Sequence, residues 1–254
     1  MIDINLAKDE FLKYTNGFDL SNTNIQRKVY HSLRVSEICK KIAVSFSLND
    51  EDVLLAELIG LLHDIGRFEQ YTKFKTFSDA NSVDHGMLGE QILKKNDYIR
   101  SFIMDSKYDE VIMCAIRNHN RFIIENDLNE RELLFTNIVR DADKVDIFYE
   151  ATEMFWNGKG KEMSECDVSE KVYTEFLNGN LVENSLKQNE LDKLIGIISF
   201  IYDMNFKESF NIIDENMYLE KIINRFNFKN QITKEKIKRI EEVAKIYIKE
   251  RLNK

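Results

Sequence analysis

The segment VLLAELIGLLHDIG, residues 53–66, decides the fold. Its side chains are apolar nearly all round the helix axis, which predicts a central and buried helix. Asp50, just ahead of it, is predicted to cap its start. His63 and Asp64 stand side by side inside this segment, and an unpartnered buried polar group costs on the order of 1–3 kcal/mol. The pair therefore requires partners from elsewhere in the chain.

The composition favours an all-helical protein. The 254 residues include no proline and 9 glycines, and 43% are hydrophobic, so long helices with short connections are expected around a sizeable core. Residues 67–80 are predicted as a loop, and the GKGK sequence at 158–161 as a flexible connection. The other predicted helices cover residues 6–14, 24–46, 82–95, 108–118, 130–155, 168–178, 185–203, 207–226 and 234–252, the last capped by Thr233.

Two parts of the chain are expected from this pattern. Residues 1–160 form the core, and residues 161–254 form a helical extension that packs on it, as a separate domain or as part of the same one. The apolar faces of the last helices pack within the chain or form a dimer, so a homo-oligomer is left open.

Charge and cysteine content limit the possible binding partners and the cellular compartment of the protein. The chain has 36 Lys and Arg against 44 Asp and Glu, and this net charge of −8 lacks the broad basic surface of a protein that binds long nucleic acids. The first residues are charged throughout, and no apolar run reaches the roughly 18 residues of a membrane span. The three cysteines form no CxxC pair, which favours a reducing compartment. A soluble, cytoplasmic protein without a membrane partner is expected.

The chain has only four histidines, which are His31, His63, His85 and His119. Three of them share a helical face with apolar residues three, four or seven positions away, and the fourth lies inside the apolar segment, so all are predicted to point inward. One such histidine alone is most often a satisfied core residue. The same helix faces offer too few hydrogen-bond partners for four imidazoles and a buried carboxylate. Divalent cations would bind all of these groups.

A second carboxylate is available in the segment RDADKVD, residues 140–146. Asp143 is the candidate ligand there, but Asp141 and Asp146 lie close by. Asp146 is one helical turn further on, and spacing alone does not exclude it.

Together these motifs resemble the HD phosphohydrolase superfamily, in the order H…HD…H…H…D. They are HSLRV at 31–35, LLHDIGR at 61–67, DHGMLG at 84–89, RNHNR at 117–121 and RDADKVD at 140–146. The resemblance implies a helical HD-domain bundle with two divalent ions, which could be Fe, Mn, Ni, Co or Mg. It places His31, His63, Asp64 and Asp143 on the first ion, and Asp64, His85 and His119 on the second. It also selects Asp143 among the three aspartates.

The predicted reaction is hydrolysis of a phosphoester or phosphoanhydride in a nucleotide-like small molecule. Two ions that share Asp64 would hold a bridging hydroxide that attacks phosphorus, because metal coordination lowers the pKa of water towards ~7. Asp64 is thus the predicted catalytic residue. Arg67, Lys144 and Arg34 are predicted substrate contacts. The alternative is a solvated surface arginine for Arg67 and surface salt bridges for Lys144 and Arg34. The aromatic and basic side chains of residues 67–80 form either a lid over a nucleobase or a loop pinned to the core.

Two other functions are compatible with the same ligands. The resemblance extends to di-iron oxygenases similar to myo-inositol oxygenase, because imidazole and carboxylate suit iron as well as manganese. The third alternative is a regulatory module that binds metal without turnover.

Overall fold

The computed structural model describes residues 2–153 and 160–253, and within these ranges it contains helices and no strand. The all-helical prediction is confirmed. The chain divides into two compact units, residues 1–143 and 144–254, and the division falls inside a long helix. The predicted domains, residues 1–160 and 161–254, remain a prediction.

The first unit contains six complete helices and the start of a seventh. They are α1 Ile4–Thr15, α2 Thr23–Ser45, α3 Asp50–Leu62, α4 Ile65–Phe74, α5 His85–Lys94, α6 Asp109–Asn118 and α7 Glu130–Glu153, which continues into the second unit. Short 3₁₀ segments lie at Asp79–Asn81, Lys95–Ser101 and Ser106–Tyr108.

The second unit continues with shorter helices and ends on a long one. They are α8 Gly160–Glu165, α9 Glu170–Leu177, α10 Glu190–Ile198, α11 Lys207–Glu215, α12 Tyr218–Asn224 and α13 Gln231–Leu252, with 3₁₀ segments at Asn184–Leu186 and Ser199–Asp203. No helix within the described ranges combines the length and the apolar character that crossing a membrane requires.

Close packing of α2 on α3 positions the centre of the first unit. A Cβ atom added at Gly60 would lie 2.7 Å from Sγ of Cys39 and 2.9 Å from Cα of Ser36, so the two backbones meet where only glycine fits. The hydroxyl of Ser36 donates a hydrogen bond to the carbonyl of Glu57 across the same interface, at 2.8 Å. Fully buried side chains such as Leu58 contribute about 1.5–3 kcal/mol each. The end of α3 is therefore held firmly against α2.

The prediction of a loop over residues 67–80 is wrong for its first half, because α4 runs to Phe74. Phe68 is fully buried, and its ring packs edge-on against Phe11 with centroids 5.9 Å apart. Ile65, Phe68 and Tyr71 are three residues apart, which is helical spacing, and tertiary packing of this face stabilises the helix. The helix ends at Lys75 in the left-handed conformation, with φ of 57°.

The predicted helix caps at Asp50 and Thr233 are also wrong. Asn49 caps α3 by accepting a hydrogen bond from the backbone of Asp52, and Asn230 caps α13. In both cases the cap is an asparagine that lies one to three residues earlier in the chain. Asparagine, aspartate and threonine all cap helices well, so capping preference alone does not predict which of them is used.

Several predicted helix bounds differ from the structure. The helix predicted over 207–226 breaks at Met217, whose φ of 51° is left-handed, and the one over 185–203 is divided into a 3₁₀ turn, α10 and a second 3₁₀ segment. Residues 154–155 at the end of the predicted helix 130–155 and the first two residues of the predicted GKGK connection lie outside the described residues; Gly160 begins α8.

Candidate metal centre

His63 and Asp64 occupy the turn between α3 and α4. The apolar helix ends at Leu62 rather than continuing through the pair, and both side chains are buried. Nδ1 of His63 lies 2.7 Å from the carbonyl oxygen of Gly60, which fixes the orientation of the imidazole ring. The turn therefore sends Nε2 of His63 and the Asp64 carboxylate towards the same interior point.

Two glycines bring the next helices close to this turn. A Cβ atom at Gly66 would lie 2.2 Å from the carbonyl oxygen of His85, so α4 and α5 touch through their backbones. A Cβ atom at Gly86 would lie 2.8 Å from the carbonyl oxygen of Ile116, which gives α5 and α6 a similarly close approach. Because His85 begins α5 and His119 follows the last residue of α6, these contacts place both imidazoles beside Asp64.

The two carboxylate oxygens of Asp64 face two different histidine pairs. Oδ2 lies 3.4 Å from Nε2 of His31 and 3.6 Å from Nε2 of His63. Oδ1 lies 3.3 Å from Nε2 of His85 and 3.6 Å from Nε2 of His119. Within each pair the Nε2 atoms are 3.1 Å and 3.0 Å apart, respectively. Asp64 is thus placed between two clusters of nitrogen atoms.

Asp143, on α7, adds a carboxylate to the first pair. Its Oδ1 lies 3.1 Å from Nε2 of His31 and 3.8 Å from Nε2 of His63. The structure therefore brings Asp143 to the histidines, as the resemblance implied. Asp146 belongs to the second unit, and the choice of Asp143 as the ligand remains a proposal.

The electrostatics of the centre favour neutral imidazoles. Burial lowers the pKa of His63. Burial and the nearby charge of Arg67 lower the pKa of His85 to about 4. Both rings are therefore neutral near pH 7, the form in which imidazole binds a metal ion.

The carboxylates of the centre are ionised. Burial alone would raise the pKa of Asp64, but the Lys28 ammonium holds it well below its usual range. Burial likewise opposes ionisation of Asp143, while the hydrogen bond with His31 holds its pKa well below the usual range. Ionised carboxylates beside neutral imidazoles are the protonation states that a divalent ion requires.

The atoms around Oδ1 of Asp64 test whether a metal ion fits. Nδ1 of His85 contacts the Asp79 carboxylate and Nδ1 of His119 contacts the carbonyl of Ile116, each at 2.7 Å. Both partners can only accept, so when either ring is neutral its Nδ1 carries the proton and its Nε2 presents a lone pair. Oδ1 of Asp64 is buried and has no hydrogen-bond partner among the described residues. Three acceptors therefore converge with no proton between them.

A divalent cation resolves this convergence. When two metal–ligand bonds of about 2.1 Å form a right angle at the metal, the two ligand atoms lie about 3.0 Å apart. A wider angle increases the distance between them. The separations of 3.0–3.6 Å among Asp64, His85 and His119 agree with this spacing. Two groups of three side chains could each hold an ion through Asp64: one with His31 and His63, and one with His85 and His119.

Of the predicted substrate contacts, Arg67 lies at the centre. Its Nε is 3.5 Å from Oδ1 of Asp64, and its Nη1 donates hydrogen bonds to the carbonyl of Phe77 at 2.6 Å and to Asp79 at 3.0 Å. Arg34 is half-buried on α2. Lys144 lies in the second unit, where its ammonium pairs with the Asp203 carboxylate at 2.8 Å. Roles in substrate binding remain proposals for all three.

Sequence reasoning missed two residues that contact the centre. Lys28 places its ammonium 2.6 Å from Oδ2 of Asp64. It precedes His31 by one helical turn on α2, and that spacing was an available signal. Asp79 contacts His85 from a 3₁₀ turn, where no helical spacing relates the two residues.

Three cations also surround one aromatic ring in the segment that follows α4. Arg27, Lys28 and Arg67 each lie 5.7 Å from the ring centroid of Phe77. Tyr71 packs on the same ring, with centroids 4.8 Å apart. These contacts pin the segment to the first unit, in agreement with the second of the two predicted roles for its aromatic residues.

Residues 29–147 match the family model described as the HD domain, and this range includes all six predicted ligands. Residues 29–147 are therefore similar to an HD domain, and the resemblance in the motifs is confirmed. This class is a superfamily of the metal-dependent hydrolase type, which includes metal-dependent phosphohydrolases and implies binding of divalent metal. The comparisons with curated proteins and with solved structures gave no match to this chain.

Proposed function

We propose that the protein is a metal-dependent phosphohydrolase that cleaves a phosphoester or phosphoanhydride bond in a nucleotide-like small molecule. The observation that carries the proposal is the position of Asp64, whose two oxygens each face a separate pair of histidine Nε2 atoms. Such an arrangement suits two divalent ions that share one carboxylate, the type of site that many phosphoester hydrolases use.

In this proposal the side chains divide between two ions. His31, His63, Asp64 and Asp143 would hold the first, and Asp64, His85 and His119 the second. When bound, the ions would supply Lewis-acid activation of water and of the phosphoryl group. Hydrogen bonds from Nδ1 to carbonyl or carboxylate oxygens hold the imidazoles of His63, His85 and His119 in place before any ion arrives. The ligand set is therefore preorganised.

Two cationic side chains beside Asp64 support an anionic substrate. Lys28 contacts Oδ2 and Arg67 approaches Oδ1, so one positive charge lies on each side of the carboxylate. Both side chains are largely buried, and there their charges are screened less than at a surface. They would bind phosphoryl oxygens and offset the negative charge that develops there during hydrolysis. This feature favours an anionic substrate such as a phosphate ester.

Phosphate release provides the test. The full chain would be loaded in turn with Mn²⁺, Fe²⁺, Co²⁺ or Ni²⁺ and offered a panel of nucleotides and phosphoesters, with and without oxygen. We expect inorganic phosphate or a nucleoside monophosphate to appear at the same rate in both atmospheres. Asp64→Asn should abolish it, and Asp97→Asn, an exposed carboxylate in the same unit, should leave it unchanged.

Two results would contradict the proposal. Oxygen-dependent turnover without phosphate release would indicate the di-iron oxygenase. Metal binding without turnover of any panel member would indicate the regulatory module.

A further inference from the structure

We propose that Asp79 is a positioning residue that fixes His85 in the tautomer able to bind the second divalent ion, and that it ties this ligand to Arg67. The inference rests on the proposed two-ion site, because it concerns one ligand of that site. It goes beyond the sequence motifs, since Asp79 lies outside all of them.

Asp79 begins the 3₁₀ turn between α4 and α5, and both of its oxygens are engaged. Oδ2 lies 2.7 Å from Nδ1 of His85 and accepts a hydrogen bond from Nδ2 of Asn120 at 3.1 Å. Oδ1 accepts from Nη1 of Arg67 at 3.0 Å and from Nε2 of Gln70 at 2.8 Å. Four donors from α4, α5 and the end of α6 therefore meet on one carboxylate.

The donors on Oδ1 are themselves held in place. Gln70 is fully buried, and its amide also donates to the hydroxyl of Ser82 and to the carbonyl of Val83, each at 2.9 Å. Arg67 is anchored on the carbonyl of Phe77. Asp79 is therefore oriented by a rigid set of partners before it contacts His85.

The contact with His85 determines where its proton lies. An ionised carboxylate only accepts hydrogen bonds, so Nδ1 of His85 must donate, and Nε2 is left with a lone pair. That lone pair faces Oδ1 of Asp64 at 3.3 Å and Nε2 of His119 at 3.0 Å. Carboxylate partners of this kind commonly orient metal-binding histidines and raise their affinity for the ion.

His85 differs from His63 and His119 in the nature of its partner. Those two imidazoles contact backbone carbonyls of their own helices, which no side-chain substitution removes. His85 depends on a side chain six residues away. Among these three ligands, it is the one whose tautomer a point substitution can change.

An asparagine at position 79 would reverse the hydrogen-bond pattern on one side. The amide has one accepting oxygen and one donating nitrogen, whereas the carboxylate accepts on both sides. The guanidinium of Arg67 can only donate, so the amide oxygen should remain on that side. The amide nitrogen would then face Nδ1 of His85, and the ring would relieve the clash of donors by moving its proton to Nε2. That nitrogen could no longer bind an ion.

Alanine at the same position distinguishes positioning from simple support of the turn. Alanine removes the acceptor and leaves only the more distant Asn120 amide nitrogen, 3.3 Å from Nδ1 of His85, so His85 should populate both tautomers and retain part of its affinity for the ion. If Asp79 only braced the turn, the isosteric asparagine should be the milder change. Positioning through the tautomer predicts the opposite order, with asparagine more damaging to the second ion than alanine.

The experiment compares the full-length wild type with Asp79→Asn, Asp79→Ala and Asp84→Asn. Asp84 is a matched control, because it precedes His85 directly, carries the same charge and accepts from the Met87 backbone and from the Asn120 amide on one oxygen, Oδ1, which asparagine can keep. Asparagine also caps helices well, so this variant loses the charge and keeps the cap. Zn²⁺ affinity would be measured by competition with a chelator, and histidine tautomers by ¹H–¹⁵N correlation spectra, which need to resolve only four imidazoles.

We expect wild type and Asp84→Asn to bind two Zn²⁺ ions and to show a proton on Nδ1 of His85. Asp79→Asn should bind the second ion about 10–100-fold more weakly and show the proton on Nε2, and Asp79→Ala should lie between them. The affinity for the first ion should be unchanged in all. If Asp79→Asn fails to fold, a mixture of His85 tautomers and a weaker second ion in Asp79→Ala support the proposal.

Three results would overturn the inference: an unchanged His85 spectrum in both Asp79 variants, an unchanged affinity for the second ion, or a larger loss in alanine than in asparagine. None of these readouts requires turnover, so failure of the phosphohydrolase proposal in the phosphate assay would leave this test intact. A wild type that binds one Zn²⁺ ion would overturn it together with the two-ion site.

Discussion

Lys28 places its ammonium 2.6 Å from Oδ2 of Asp64, the same oxygen that faces the imidazoles of His31 and His63. Both charged groups are largely buried, so each needs the other in the metal-free protein. A metal ion at the first site would supply a second positive charge to the same carboxylate. Lys28 therefore links the stability of the protein to its metal content.

Lys28→Met should destabilise the metal-free protein more than the loaded one. Removal of one partner from a buried ion pair costs about 3–5 kcal/mol, because the remaining charge is left uncompensated. We expect the free energy of unfolding, measured by denaturant titration, to fall by about that amount without metal and by clearly less with saturating Zn²⁺. Lys73→Met is the control, since Lys73 forms an exposed pair within α4 and should change stability by less than about 1 kcal/mol. Equal losses with and without Zn²⁺ would contradict this account.

Gly66→Ala should separate α4 from α5 and weaken the second ion site. The added Cβ would lie 2.2 Å from the carbonyl oxygen of His85, and neither backbone can yield without moving that histidine. Overpacking of this kind costs about 1–3 kcal/mol. Zn²⁺ stoichiometry and denaturant unfolding would detect both effects. Gly160→Ala is the matched control, because a Cβ there meets nothing within 4 Å; equal behaviour of the two variants would argue against the close contact.

The metal-free protein should lose stability as the pH falls from about 6.5 towards 4. Burial first, and then the charge of Arg67, lower the pKa of His85 from 6.5 to about 4, and burial lowers that of His63 as well. Between these pH values the unfolded chain binds more protons at these histidines than the folded chain does. The free energy of unfolding therefore decreases as the pH falls, by on the order of 1 kcal/mol per pH unit for each histidine. Thermal unfolding at several pH values would measure this slope.

A His85→Gln variant isolates the contribution of one histidine to that slope. Its stability should depend less steeply on pH between 6.5 and 4 than that of the wild type, because glutamine does not titrate. An identical slope in the two proteins would contradict the lowered pKa of His85.

The sequence predicted which side chains lie together around Asp64, because its signal was strong. Four histidines on apolar faces, in a fixed order around His63 and Asp64, leave few alternatives for a chain of this composition. Lys28 was also within reach, since it lies one helical turn before His31. The contact between Asp79 and His85 could not be predicted from spacing, because Asp79 lies in an irregular turn whose course depends on packing around Gln70 and Arg67.

The fold was predicted in class and less well in detail. Absence of proline and scarcity of glycine indicated helices, but α4 was missed although Ile65, Phe68 and Tyr71 follow helical spacing; the burial of Phe68 that stabilises it is visible only in the structure. The break at Met217 has no glycine or proline to mark it, so the left-handed residue there is invisible to propensity rules. Helix caps shifted by one to three residues, where asparagine, aspartate and threonine compete as acceptors.

The central claim is that two pairs of histidines share Asp64 as a common ligand to two divalent ions. The most direct measurement is the number of Zn²⁺ ions retained per chain by the wild type, His85→Ala and Asp64→Ala after equilibration and desalting. We predict two ions for the wild type, one for His85→Ala, and none held tightly by Asp64→Ala, because Asp64 contacts both pairs. Two ions retained by His85→Ala, or fewer than two by the wild type, would contradict the claim.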